Sequence, residues 1–397
     1  MSLRRGMPVL PVEAYTSSDW FAREQREIFS KTWRFAGLAE DLAEPGDYLA
    51  VQAGLVNLLV VMGRDRRLRA FHNLCRHRGT QLLRATGKTQ KAITCPYHDW
   101  TYDLEGRLIA VPEKEREFPD LDMGCLGLLK ASVDRWRGML FVHPDPEAGS
   151  IMEWFGAVEP YLGPHRPDEL IEAPGTRVVE TIRANWKIVV ENFIDAYHLA
   201  HLHSGTLAMY DHSKSTSGFV GPHFHFYEPL APHYAADLDA NAPMPLIDHV
   251  PRDQVGAYVP MLFPCLGLAE SESTWSTFHI VPIDVEETQV EVRTKVANVS
   301  SWQFTRQAWR SAGFWSRHVH AKVEGDPAVD PMASADFMQE DIYACEQQQK
   351  SLRSPYFSVG ASARHGEAAV RHFQTLVGRW VDKRVEERVD TRVEGSA

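Results

Sequence analysis

Two short stretches each put one cysteine and one histidine within reach of a single metal centre: Cys75-Arg76-His77 and, seventeen residues further on, Cys95-Pro96-Tyr97-His98. Thiolate and imidazole suit a tetrahedral zinc. They also suit a [2Fe-2S] cluster in which two histidines replace two cysteines on one iron. The residue types alone allow either. Their order favours iron and sulfur, because the common zinc fingers place both cysteines before both histidines. Unrelated core cysteines and surface histidines would not be expected to recur as two matched pairs flanked by turn residues.

A second constellation lies in the middle of the chain. Over residues 185–198 the large apolar side chains Trp186, Val190, Phe193 and Tyr197 repeat at helical spacing on one face, while Glu191, Asp195 and His198 share the other. By itself an Asp-x-x-His of this kind reads as a solvated polar face. His203 changes that reading, because Ser204-Gly205 marks a helix end where a bending chain can bring two imidazoles onto one ion. Two histidines and one carboxylate would make the facial triad of non-haem iron(II), with positions open for dioxygen. The carboxylate is expected far downstream: in residues 336–352 a stripe of Phe337, Met338, Ile342, Ala344, Cys345 and Leu352 has Asp341 near its middle, with Asp336 and Glu340 off it. An acid inside an apolar stripe is costly unless it is paired or metal-bound, so Asp341 is the expected ligand; a buried salt bridge to an arginine is the alternative.

The elements that must hold these residues can be read more coarsely. A chain of 397 residues with 44 % hydrophobic and 24 % charged residues is long enough for two domains with buried cores. Its longest apolar stretch, around Leu55 to Met62, is too short to span a membrane, and no apolar segment follows Arg4 and Arg5 to make a secretory signal, so the cytoplasm is the expected compartment. The net charge of -11 argues against nucleic-acid binding. Five cysteines in a reducing compartment argue for metal or core roles, with Cys125, Cys265 and Cys345 expected as core thiols. Aromatic residues at helical spacing predict an N-terminal helical arm over 1–40, packing on the larger domain. Short strand-like runs punctuated by glycine predict a small antiparallel sheet domain over 41–150. Residues 165–383 read as an α+β domain, with helices near 184–199, 300–320 and 335–352 and strands near 277–281 and 288–296; residues 384–397 read as a charged tail.

The run Cys75-Arg76-His77-Arg78-Gly79 and the run Cys95 to Tyr102 resemble the two loops of the Rieske [2Fe-2S] domain. Glu191 to His198, followed by His203, is similar to the iron-binding helix of the catalytic (alpha) subunit of Rieske-type, aromatic-ring-hydroxylating non-haem iron oxygenases, with Asp341 and Glu346 similar to its downstream acidic segment. Asp99 stands where the family often has glycine; if that position needs a positive φ, aspartate is among the few other residues that tolerate it. Neither loop carries an extra cysteine, unlike the respiratory-complex Rieske proteins with their loop disulfide.

The resemblance implies an antiparallel β Rieske domain and a larger, helix-grip-like α+β catalytic domain. It implies that Cys75, His77, Cys95 and His98 hold the cluster and that His198, His203 and Asp341 hold a mononuclear Fe(II) that uses O2 as co-substrate. Asp195 would link a cluster histidine of one subunit to an iron histidine of the next, which requires a head-to-tail ring, normally a homotrimer, with or without a beta subunit. No Gly-x-Gly-x-x-Gly or phosphate-loop pattern occurs, so NAD(P)H is expected to act only through a partner reductase, with or without a ferredoxin. Between Arg76 and His98 the chain carries Arg76, Arg78, Arg84, Lys88 and Lys91 and no acid, a collar that would steer an acidic electron carrier or be an ordinary solvated edge.

For the substrate pocket the sequence offers Met209, Phe224, Phe226, Tyr258, Met261, Phe263 and Phe278, which fit an apolar, aromatic small molecule and a role in aromatic hydrocarbon catabolism. Asp195 in place of glutamate leans the resemblance the same way. The same aromatics could hold a quaternary ammonium by cation-π contact, or be plain core. Hydroxylation, dihydroxylation and oxidative demethylation stay open. A reading from another class is a Rieske electron carrier or ligand-binding module without oxygenase activity, from which His198, His203 and Asp341 distinguish an oxygenase.

Overall fold

The computed structural model describes residues 10–381 apart from 90, 174, 319–324, 327–328 and 359. The charged tail expected over 384–397 and the first nine residues of the arm lie outside that range. The chain divides into two compact units: Arg23–Gly156, and Ala157 onward together with the N-terminal stretch up to Ala22. The stretch read from the sequence as one arm thus divides, residues 10–22 going with the larger unit and 23–40 with the smaller.

The smaller unit is built on a seven-stranded antiparallel sheet. Its strands run in space Arg34–Leu38, Met139–His143, Lys130–Trp136, Leu68–His72, Val56–Met62, Asp47–Ala53 and Thr86–Lys88. Leu58, Leu59, Val60 and Val61 are all buried because side chains alternate across a strand and both faces of this one are covered. Leu58 and Val60 join a core with Leu140 and Val142, and Leu59 and Val61 join another with Phe71, Trp100 and Tyr102. The second core also holds Cys75 and Cys95, so the two metal loops are anchored in packed apolar residues. A three-stranded antiparallel sheet, Ile93–Thr94, Thr101–Tyr102 and Leu108–Ala110, carries the second loop between its first two strands.

The larger unit has a nine-stranded antiparallel sheet whose two longest strands form the hairpin Thr274–Asp284 and Glu287–Val296, paired from Thr274 against Val296 to Asp284 against Glu287. Three helices matter for the site: Trp186–Ile194, Phe337–Leu352 and Ala368–Val381. The expected α+β class and antiparallel sheets are observed.

The helix expected over 184–199 is shorter and more buried than its pattern indicates. Asn185 caps it by accepting the Lys187 N–H, and it ends at Asp195, whose backbone is extended at φ -80° and ψ 108°; a separate turn of helix follows at Leu199–Leu202. Trp186 to Glu191 and Ile194 are all buried, while Tyr197, expected on the apolar face, is exposed. The expected polar face is covered by other polar groups. The Tyr15 hydroxyl donates to Glu191 at 2.6 Å, and Gln374 donates to the Tyr15 hydroxyl at 3.1 Å. Gly267 lies under Phe193 of this helix, and a Cβ there would sit 2.5 Å from the ring, so glycine lets sheet and helix approach. Among the described residues no helix is long and apolar enough to cross a membrane.

Candidate metal centres

The two loops of the smaller unit have one backbone design. Cys75 N–H donates to Thr80 and Cys95 N–H to Trp100, while the Cys75 carbonyl accepts from Gly79 N–H and the Cys95 carbonyl from Asp99 N–H. Each turn needs a left-handed residue at its fourth step: Gly79 has φ +73° and Asp99 has φ +56°. The aspartate that departs from the family's glycine therefore adopts the conformation for which it is suited.

The four side chains converge. Cys75 and Cys95 are buried, and the His77 and His98 rings lie 4.7 Å apart. His77 stacks on Trp100 at 4.8 Å, and its Nδ1 is buried with no hydrogen-bond partner among the described residues. Burial, with His98 and Arg78 nearby, holds His77 below the ordinary imidazole value, which favours the neutral, metal-binding form. Burial pushes the Cys95 thiol up, with Cys75 as a neighbour; a bound cation is what keeps such paired thiols as thiolates. Two buried thiols, two imidazoles and an unpartnered ring nitrogen fit a Rieske cluster.

In the larger unit the bend after Asp195 turns His198 back toward His203. His198 Nε2 lies 3.2 Å from His203 Nε2, His203 Nε2 lies 3.0 Å from Asp341 Oδ1, and His198 Nε2 lies 3.6 Å from the same oxygen. Donor atoms bound about 2.1 Å from one ion at right angles lie about 3 Å apart, so this spacing is that of three ligands on one face of a metal. These three residues form a group able to hold an ion. Burial alone would lower the His203 value; hydrogen bonds to Asp341 and Glu340 outweigh it and raise the ring above its ordinary range.

Residues 162–383 match the family described as ring hydroxylating alpha subunit (catalytic domain), and residues 32–130 match the Rieske [2Fe-2S] domain. The chain belongs to the ring-hydroxylating alpha-subunit family. The glycine betaine monooxygenase oxygenase subunit of Chromohalobacter salexigens is 39% identical over 201 residues, 50% of this chain and 44% of that protein. The large oxygenase component of the naphthalene 1,2-dioxygenase system of Pseudomonas fluorescens is 38% identical over 194 residues, 47% and 42% of the two chains. The chain spans about half the length of the curated relatives it matches. A quaternary ammonium Rieske monooxygenase crystallised with L-carnitine shares the fold, with a TM-score of 0.70 at 24% identity over 95% of this chain and 96% of that one.

A Rieske [2Fe-2S] cluster and a mononuclear iron are the cofactors that these two domains of a ring-hydroxylating alpha subunit imply. Other residues singled out from the sequence fall in various places. Asp195 lies beside the triad: its Oδ2 is 3.4 Å from His198 Nδ1, and its Oδ1 accepts the Tyr197 N–H at 2.8 Å. Glu346 instead accepts the Arg183 N–H at 3.1 Å. Cys265 and Cys345 are core thiols, but Cys125 is exposed and donates to Asp122 at 3.0 Å, a correction that follows from its place on a surface 3-10 turn.

Of the seven residues expected for the pocket, Phe224, Phe226, Tyr258, Met261 and Phe278 lie on strands of the nine-stranded sheet. Met209 packs in a core with Leu230, Tyr234 and Phe314. Phe224 pairs across strands with Phe219 and Met261, with Phe226 two residues along the same strand. Phe263 stacks on Trp380, and Tyr258 packs at a tilt against Tyr227. Phe278 contacts Phe193, beside Asn192.

Two site residues were missed. Asn192 Nδ2 donates to Asp341 Oδ1 at 3.1 Å. Glu340 meets His203 Nδ1 at 2.7 Å. Asp341 lies beside His198 and His203, but not on the buried apolar stripe expected for it. On the Phe337–Leu352 helix the buried residues are Glu340, Cys345 and Gln349, whereas Asp341 is half-buried and Phe337 is exposed. A wheel scored on apolarity could not find a buried face whose partners are histidine, tyrosine and asparagine.

Proposed function

We propose that this chain is the terminal oxygenase component of a multicomponent system, taking electrons from a partner reductase, with or without a ferredoxin, and oxidising a small molecule. The observation that carries this reading is the convergence of His198 Nε2, His203 Nε2 and Asp341 Oδ1 within 3.6 Å of one another in a chain that also brings together Cys75, His77, Cys95 and His98. An iron(II) held by the triad would supply open positions for dioxygen.

The chain's own residues do the positioning. Asn192 steadies the Asp341 oxygen that faces both imidazoles. Asp195 is fixed by the Tyr197 N–H and faces His198 Nδ1, so it orients that ring and can carry half of a link to a cluster histidine of a neighbouring copy in a homotrimer.

As substrate we favour a quaternary ammonium compound, on the strength of the relative named for glycine betaine and the fold shared with the enzyme crystallised with L-carnitine. The aromatic substrate expected from Asp195 has the naphthalene relative on its side. The test is anaerobic purification with iron and sulfide counted, followed by oxygen uptake with a reductase and NADH against glycine betaine, carnitine and naphthalene. The oxygenase reading expects about three irons and two sulfides per chain. Coupled uptake with a betaine alone supports the first substrate class, and uptake with naphthalene alone replaces it with the second. Asp341→Ala is expected to lose the mononuclear iron and turnover with the cluster intact; unchanged metal content and no turnover in either protein would leave an electron carrier or binding module.

A further inference from the structure

We propose that Glu340 is a positioning residue of the iron site, gripping the edge of His203 opposite to the one that faces the ion. The inference rests on the triad reading and deepens it. His203 is 1% exposed and touches a carboxylate at each ring nitrogen: Nδ1 lies 2.7 Å from Glu340 Oε2, and Nε2 lies 3.0 Å from Asp341 Oδ1. The two acids are consecutive on one helix, so a single turn fixes both edges of one imidazole. Glu340 is itself anchored. It is 4% exposed, and the Thr206 hydroxyl, also buried and three residues beyond His203, donates to the same Oε2 at 2.9 Å.

This arrangement sets where the proton sits. Carboxylates can only accept, and one lies at each nitrogen, so a metal that took Nε2 would leave the ring's one proton on Nδ1, where Glu340 accepts it. The negative charge at Nδ1 also makes Nε2 a stronger donor. His198 has the corresponding partner in Asp195, at a longer 3.4 Å and with both side chains part-exposed. The two histidines thus differ: His203 is locked into the protein interior by Glu340 and Thr206, while His198 faces the acid proposed to link subunits.

The test is iron affinity, measured in the full-length protein by competition with a chelator, with the visible spectrum of the cluster as the check that the chain is folded. Glu340→Ala is expected to weaken iron binding about 10- to 100-fold. Glu340→Gln, which still accepts from Nδ1 but lacks the charge, should recover part of that loss, and Thr206→Val should show a smaller loss than Glu340→Ala. The EPR spectrum of the nitric oxide adduct of the ferrous site should change in Glu340→Gln, a readout that a merely structural contact would not move. Wild-type affinity and spectrum in the Glu340 variants, with iron lost in His203→Ala, would overturn the role of Glu340 while leaving the triad standing. Iron retained in His203→Ala as well would overturn the triad and this proposal together. Should Glu340→Ala fail to fold, Glu340→Gln and Thr206→Val carry the same decision.

Discussion

Asp195 and Asp99 show what single residues contribute here, and each gives a sharp expectation. Asp195 lies outside the triad yet 3.4 Å from His198 Nδ1, so Asp195→Asn should keep cluster and iron and slow turnover about tenfold or more. Metal analysis beside single-turnover rates checks this, and loss of iron would show that Asp195 is needed to hold the metal and not only for turnover. Asp99 holds φ +56° in the second cluster loop. Asp99→Gly should therefore hold the cluster at least as well as the wild type under heating. Asp99→Val should cost about 1–2 kcal/mol, seen as earlier thermal loss of the visible absorption, because a β-branched residue resists that conformation. Both residues were singled out by the resemblance of their segments to the family's cluster loop and iron-binding helix, and not by composition or spacing. Glu340 and Asn192 were not, since an ordinary glutamate and asparagine show their role only when a histidine 137 positions away or an aspartate 149 away is brought against them.

At the scale of elements, the Trp186–Ile194 helix shows where periodicity misleads. Its apolar repeat gave the element but not its end or its surroundings, because Asp195 leaves the helix and the polar side is covered by Tyr15 and Gln374 from the two ends of the described chain. Burial pushes the Glu191 carboxyl up to about 7, with Glu367 adding to the rise and Tyr15, Gln374 and Lys187 opposing it. A folded value above the unfolded one means that the contribution to stability is present below the ordinary carboxylate range and is lost as pH rises through about 7. Across that window the loss is about 3 kcal/mol. Glu191→Gln has no such proton to lose. Its melting temperature should match the wild type near pH 5 and exceed it at pH 8, and an equal difference at both values would show that Glu191 does not titrate there. The strands were easier to read. The hairpin of Thr274–Asp284 and Glu287–Val296 includes both expected runs, because long β-branched stretches around one turn have few other ways to pair.

For the whole molecule, charge is the property that the sequence shows and the fold distributes. A chain of net charge -11 repels an acidic electron donor over most of its surface, so docking near the cluster needs a local exception. The collar expected there is partly committed to structure: Arg76 is half-buried and donates to the Gly127 carbonyl, and Lys88 pairs with Asp47. Arg78, Arg84 and Lys91 are exposed, and Arg78 lies over the exposed ring of Tyr97, which packs at a tilt against His98. Charge reversal of Arg78 and Lys91 together should therefore slow reduction of the cluster by an acidic ferredoxin or flavoprotein about tenfold at low salt. The difference should shrink as ionic strength approaches 1 M, where the screening length falls to about 3 Å. Stopped-flow bleaching of the cluster measures the rate, and the midpoint potential of each variant separates a change in driving force from a change in docking. Equal rates at low salt would reduce the collar to a solvated edge and move the donor's landing site elsewhere. A slowdown that salt does not erase would instead assign Arg78 a role through Tyr97 and His98, inside the electron path.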